Sequence, residues 1–463
     1  MFRANALIKP LWLVFIIASA RILGPEDFGI YALATVMVSI VFIVFESGID
    51  VNTMKRLAVG SGTDPNLVSV SLFSKMLVFG VCGVMVWIGS WLSAGDTMAY
   101  VRLAIPIAMM QLGVIFIRHL YRGLVWFDLE ARSIVTERAV TIVCGTLALW
   151  LFGDVATYMV AYIAAYLVII AADWRRFRIR SGITVTYPGI GPVLSHIRHS
   201  ATIGVYNALS VLFTRISTVV MHIGGLPTAD IGRFNSGIRL FDSFALLPTI
   251  VSDPLYPRIC AAIRDRNALT SIIRFPTIFL FTLTIMASSL LLLHHEYLIG
   301  WILGDAYRVA SFEIALVFST IVVFSVNTIT TKLIIASEQE SVMSRILGAL
   351  LVSQVGFVII AATRFGLLEI VLVYVAHELA YNVILAVIAF RHLHQRPLVR
   401  DLGLVVGAAS LAAFVAARLP IDEPLITMPL QAAIMGGLLI ATGLYRWDHL
   451  TRFTTQVRSW FTR

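Results

Sequence analysis

Long apolar runs dominate this chain, interrupted at short intervals by Gly, Pro and charged residues. A helix that crosses a bilayer needs about 20 mostly apolar residues. Fourteen stretches meet that need: residues 6–22, 28–49, 67–92, 101–121, 133–152, 155–173, 199–222, 231–256, 272–293, 309–336, 346–362, 368–390, 401–417 and 425–444. They are continuous runs rather than alternations of period two, which predicts helices and argues against a transmembrane barrel. The intervening segments are short. The longest polar stretch, residues 174–198, is basic, contains Pro188 and Pro192, and lies near the middle of the chain. It predicts a linker between two halves, 1–173 and 199–390, with 391–463 adding two further spans and a tail.

Composition fits this pattern. Of 463 residues, 59% are hydrophobic and 13% charged, whereas soluble domains carry roughly 25% charged residues. That excludes a soluble or disordered chain. Cys82, Cys144 and Cys260 stand apart from one another and suggest neither a disulfide framework nor a metal site.

The net charge of +9 could suggest nucleic acid, but its distribution points elsewhere. With the N-terminus placed in the cytoplasm, the inner loops and ends hold 26 of the 35 basic residues. The opposite loops hold six, and the spans hold Lys75, Arg215 and Arg239. This is the asymmetry of the positive-inside rule for an even number of spans with both termini cytoplasmic. Membrane lipids, not nucleic acid, are the expected surroundings. A competing reading takes Ala18-Ser19-Ala20 as the end of a cleaved signal peptide. Cleavage there would leave an odd number of spans and spoil the charge asymmetry.

The two halves echo each other. Asp27-Phe-Gly-Ile-Tyr31 opens span two, and Asp230-Ile-Gly-Arg-Phe234 opens span eight, 203 positions later. Trp91, Asp96 and Tyr100 find weaker counterparts in Trp301, Asp305 and Tyr307. A duplicated bundle of six helices keeps its orientation and would hold substrate between the bundles near the midplane.

Charges inside spans are costly and tend to face a cavity or a partner. On span eight, Asn235, Arg239, Asp242, Thr249 and Asp253 fall along one slowly drifting helical face. Two readings stand: the stripe lines a cavity, or Arg239 and Asp242 simply pair at i,i+3. Arg215 lies near the middle of span seven, where a planar guanidinium suits an anionic headgroup or a carboxylate on a neighbouring helix. Lys9, Lys75 and Lys332 lie near the cytoplasmic ends of their spans, so each could line a cavity or snorkel. Asp242, Glu46, Asp253 and Glu378 are candidates for ion coupling or charge pairing.

Familiar catalytic signals are absent. The sequence has no P-loop to cradle nucleotide phosphates. His377-Glu378-Leu-Ala-Tyr381 begins like a zinc-binding H-E-x-x-H but ends in Tyr, and His294-His295-Glu296 reads as a solvated helix end. No extramembrane segment is long enough for a catalytic domain. A transporter rather than an enzyme is expected, with no cofactor and no resident metal. An ion gradient (protons or sodium) or the substrate's own gradient would drive it.

Arg21-Ile-Leu-Gly-Pro-Glu-Asp-Phe-Gly-Ile-Tyr-Ala-Leu33 resembles the first interhelical turn of Wzx-type polysaccharide flippases, in the multidrug/oligosaccharidyl-lipid/polysaccharide (MOP) exporter superfamily. Ala229-Asp-Ile-Gly-Arg-Phe-Asn-Ser-Gly-Ile-Arg-Leu240 is similar to the family's span-eight region. Leu303-Gly-Asp-Ala-Tyr307 and Phe365-Gly-Leu-Leu-Glu369 resemble the approaches to spans ten and twelve. The resemblance implies an all-α polytopic fold of two MATE-like six-helix bundles plus two C-terminal helices. It implies alternating access that carries undecaprenyl-pyrophosphate-linked oligosaccharide to the outer leaflet of a bacterial inner membrane. A polysaccharide polymerase and a chain-length regulator are the protein partners it suggests. Arg215, Arg239 and Lys75 fit the cationic cavity such a carrier would require, with Asn235, Lys332 and Lys9 beside them. A drug/cation antiporter of the same fold, which should favour an acidic or aromatic cavity, and a peptidoglycan-precursor flippase are the alternatives.

Overall fold

A computed structural model describes residues 2–46, 48–59, 64–93, 95, 97–392, 396–418, 423–442 and 444, with side chains in the first helix described from residue 11. Among the described residues, regular structure is helical throughout. The chain forms two compact units. One comprises residues 1–235 and 347–364, the other residues 236–346 and 365–463.

The first unit is built from α1 (Phe2–Glu46), α2 (Ile49–Val59), α3 (Pro65–Leu92), α4 (Thr97–Gly123), α5 (Phe127–Leu151), α6 (Val155–Ser181) and α7 (Ile190–Ile223). It includes the start of α8 (Thr228–Phe244). The second unit contains α9 (Leu246–Ser252), α10 (Tyr256–Ala262), α11 (Arg266–Leu293), α12 (His295–Leu303), α13 (Ser311–Ser319) and α14 (Ile321–Ala336). After α15 (Glu340–Arg364), most of which returns to the first unit, come α16 (Leu367–His392), α17 (Arg396–Arg418) and α18 (Pro424–Ala441).

Among the described residues, twelve helical stretches are long and apolar enough to cross a membrane. Two departures reconcile this number with the fourteen expected spans. The stretch Leu11–Glu46 carries spans one and two, divided at Gly24, whose φ of 73° and ψ of 173° leave the helical region. Pro25 follows it and cannot donate a helical hydrogen bond. Span eight, by contrast, is cut into pieces. Pro248 has no N–H for the carbonyl of Phe244, and α8 ends at Phe244. Pro254 and Pro257 divide the remainder into a 3₁₀ turn at Asp253–Leu255 and the short α10.

Capping fixes several helix starts. Asp154 accepts the Thr157 N–H at 2.9 Å. That donation holds its carboxyl below the usual carboxylate range. Asp64 and Asp265 cap α3 and α11 in the same way. The expected linker is partly helical: α6 runs on to Ser181, Gly182 ends it at φ 65°, and α7 begins at Ile190.

The first unit is tied together by polar contacts as well as apolar packing. At one end of α2, α3, α4 and α6, Leu57, Val68, Phe116, Leu120, Tyr121 and Phe177 form a buried cluster. Beside it, Arg118 on α4 reaches Ser133 at 2.9 Å and Glu137 on α5, and Tyr166 on α6 donates to Glu137 at 2.9 Å. Arg176 pairs with the fully buried Asp173 at 2.9 Å. Charges this deep persist only when paired and hydrogen-bonded.

Candidate functional site

In the first unit the sequence places two carboxylates against one ammonium. α1 ends at Glu46 and α2 carries Asp50 in its first turn. Between them Gly48 adopts φ 105°, and a Cβ there would lie 2.0 Å from the Ser200 carbonyl oxygen. Only glycine meets both demands. The turn presents Glu46 and Asp50 to Lys75 on α3. Lys75 pairs with Glu46 and, at 2.7 Å, with Asp50. Its side chain is 2% exposed, and its Nζ lies 5.4 Å and 5.0 Å from the ring centres of Phe79 and Phe116. His119 on α4 donates from Nδ1 to the Ile115 carbonyl at 3.0 Å, and that nitrogen lies 3.5 Å from Asp50. Glu46 Oε2 has no hydrogen-bond partner among the described residues. The cluster therefore balances Lys75 against two acids and leaves one acceptor open.

Lys75 also borders an apolar cavity of about 670 Å³ on α3, α4 and α6, lined by Leu72, Phe73, Met76, Met109 and Trp174. A space of this character accommodates hydrocarbon.

A second polar cluster joins α2, α3 and α7. His196 Nε2 lies 3.4 Å from Thr53 Oγ1 and 3.3 Å from Ser71 Oγ, and Asn52 donates to Ser200 at 2.9 Å. Burial, helped by the positive charge of Arg56 and by His199, pushes the His196 imidazole down to about 4. It is neutral at physiological pH.

In the second unit Lys332 on α14 meets Asp253 at 3.0 Å and Ser252 Oγ at 2.8 Å, at the interrupted end of span eight. Glu378 on α16 is buried, and Asn382 donates to its backbone carbonyl at 2.6 Å and to its Oε2 at 3.3 Å.

The remaining candidates divide between the units. Asn235 is buried, donates to the Ile231 carbonyl at 2.8 Å and accepts from Thr218 at 3.3 Å. Arg215 is half-buried on α7, beside the buried Ser217 and Thr218. Arg239 and Asp242 are half-buried on α8. They do not pair with each other, and no ion pair to Arg239 forms among the described residues. The side chain of Lys9 lies outside the described residues.

The structure thus joins Lys75 with Glu46, and Lys332 with Asp253. Asp50 and His119 were not among the sequence candidates, because hydropathy ends span two at residue 49. The spacing of Glu46 and Asp50 around Gly48 was the available signal. Among the described residues no group of three or more His, Cys, Asp or Glu is placed to hold a metal ion.

Residues 2–242, just over half of the chain, match the family described as polysaccharide biosynthesis protein. The chain belongs to the polysaccharide biosynthesis protein family. A search of curated proteins finds no match. Among solved structures, this family member is similar to the lipid II flippase MurJ in an inward closed conformation. The TM-score is 0.72 at 12% identity, over 96% of this chain and 99% of that one. It is also similar to an inward-facing multidrug resistance MATE transporter of the MOP superfamily, with TM-score 0.58 at 15% identity over 85% and 98% of the two chains. A third likeness is to a MOP superfamily transporter from Pyrococcus furiosus, at 0.53 and 15%, over 84% and 93%. These likenesses show the fold. The family member is a helical, multi-pass membrane protein that shares its fold with these neighbours.

Proposed function

We propose that this protein is a flippase for undecaprenyl-pyrophosphate-linked oligosaccharide, moving it by alternating access from the cytoplasmic to the outer leaflet of a bacterial inner membrane. The observation that carries this reading is Arg239, a half-buried guanidinium without an ion pair among the described residues, on the broken eighth span. Arginine remains charged and offers a planar fork that matches phosphate oxygens. Interrupted helices near the midplane are common substrate sites in transporters. Lys75 and Lys332 are already neutralised by acids, so Arg239 is the stronger anchor for an anionic carrier. Arg215 and Asn235 in the first unit are further candidates for contact with that carrier.

In this reading residues 1–173 and 199–390 act as two bundles joined by 174–198, and both termini are cytoplasmic. Residues 391–463 add the last two spans and the tail. Glu46 and Asp50 around Lys75, and Asp253 beside Lys332, are the groups through which protons or sodium would couple to the cycle. A polymerase and a chain-length regulator would receive the product.

The test is translocation of a polyprenyl-pyrophosphate oligosaccharide by the purified protein in vesicles. Arg239→Ala should insert normally and transport at least about tenfold more slowly, the loss expected for one charged phosphate contact. Unchanged transport by that variant removes Arg239 from the site. Efflux of cationic dyes, with no lipid translocation by the native protein, would favour the antiporter.

A further inference from the structure

Next to the apolar cavity at Lys75, a second space of about 360 Å³ lies between α3 and α4, bordered by Gly80, Gly83, Trp87 and Arg102. The two spaces adjoin, since Phe79, Pro106 and Met109 border both. Glycine makes this room. A Cβ on Gly80 would meet nothing within 4 Å, and one on Gly83 would come no closer than 3.6 Å to Ile105. Lys75 and Arg102 are the only charged residues along the combined groove. Lys75 is already paired with Glu46 and Asp50. The groove is therefore an apolar slot with one available charge, at its Trp87 end.

Arg102 is half-buried. Its guanidinium lies 4.4 Å from the ring centre of Trp91, and Nη1 donates to the Ser90 carbonyl at a long 3.5 Å. No carboxylate pairs with it among the described residues. Arginine has five N–H donors in a planar fork, so most of its donor capacity is open. Trp87 and Trp91 pack edge to face at 5.9 Å, and both are more than half exposed. Exposed tryptophans at the end of a span mark the level of lipid headgroups. Arg102 thus stands where lipid phosphates stand. From Trp87 to Leu72 the groove follows α3 for about 22 Å. One leaflet is roughly 15 Å deep, half of the hydrocarbon core. A chain that enters beside Arg102 meets apolar wall along its whole length.

We propose that this groove is a phospholipid site, in which one acyl chain lies along α3 and α4 and Arg102 holds the phosphate in its fork. The occupant is a phospholipid of the surrounding leaflet rather than the carried substrate, because phospholipids far outnumber other phosphate-bearing lipids at that level and fill such a site by mass action. The lone guanidinium suits an anionic headgroup. The site requires only a chain that spans a membrane, so it stands whether or not the flippase reading does.

The test places the full chain in nanodiscs of phosphatidylcholine with a trace of phosphatidylglycerol that carries a diazirine midway along one acyl chain. Illumination and peptide mapping then locate the adducts. They should concentrate on residues 72–84 and 105–113, above the level on α17, where the exposed Leu411 and Phe414 report ordinary bilayer contact. Arg102→Gln should lower the α3 and α4 adducts at least about fivefold, as loss of a charge-assisted contact predicts. Gly80→Phe, which puts a ring into the open space, should lower them similarly. Adducts on α17 should stay constant in both variants and report an intact, embedded protein. Adducts on α3 and α4 that only match those on α17, or that persist in both variants, overturn the proposal. If neither variant accumulates, competition on the native protein decides. Excess unlabelled phosphatidylglycerol should displace the α3 and α4 adducts selectively. No displacement, or displacement by undecaprenyl phosphate alone, overturns the phospholipid assignment.

Discussion

Lys75 shows how a charge singled out in sequence changes meaning once its neighbours are known. Buried against Glu46 and Asp50, it neutralises acids that would otherwise lie unpaired. Removing one partner of such a buried group costs about 3–5 kcal/mol, because the remaining charge keeps its desolvation penalty. Lys75→Met should therefore lower stability by that amount in a thermal unfolding assay in detergent. Adding Glu46→Gln and Asp50→Asn should recover most of the loss. A single substitution that leaves the melting temperature unchanged would contradict the pairing. His196 makes a prediction about pH. Its folded pKa, pushed down to about 4, lies below the ordinary imidazole value of about 6.5. The unfolded chain takes up the proton first as pH falls. Stability contributed by the neutral ring is present above pH 6.5, declines through the window from about 6.5 to 4, and is lost below it. His196→Gln should flatten the acid limb of a stability–pH curve across that window. Neither pairing was legible from the sequence. Lys332 and Asp253 are 79 positions apart, and hydropathy places a residue along a helix without saying which helix lies beside it.

At the scale of the helices, the spans were readable because apolar run length is itself the physical requirement for crossing a bilayer. The division of α1 at Gly24-Pro25 follows from the same residues that suggested a turn. The interruption of span eight was less visible. Leu246, Leu247, Thr249, Ile250 and Val251 keep the run apolar, while Pro248 alone removes the hydrogen bond that would carry α8 past Phe244. Pro248→Ala restores that N–H. It should make residues 228–252 one continuous helix, raising stability by up to a few kcal/mol, while slowing transport if the break shapes the headgroup site. Faster thermal unfolding with unchanged transport would contradict that role. Hydrogen exchange at residues 244–249 reports the helix directly.

For the molecule as a whole, the family and the fold agree on a multi-pass bundle of helices. The echo of Asp27-Phe-Gly-Ile-Tyr31 in Asp230-Ile-Gly-Arg-Phe234 was legible because equivalent backbone demands select glycine twice. That Gly29 lies against Thr228, and Gly232 against Pro25, was not legible, since similarity between two turns says nothing about whether they touch. Transport of a lipid-linked oligosaccharide is tested most directly by mass spectrometry of the host's polyprenyl-linked intermediates after depletion of this protein. An undecaprenyl-pyrophosphate oligosaccharide should accumulate, with loss of surface polysaccharide, and the native gene but not Arg239→Ala should reverse both. An unchanged pool of lipid-linked intermediates, with surface polysaccharide intact, would contradict it.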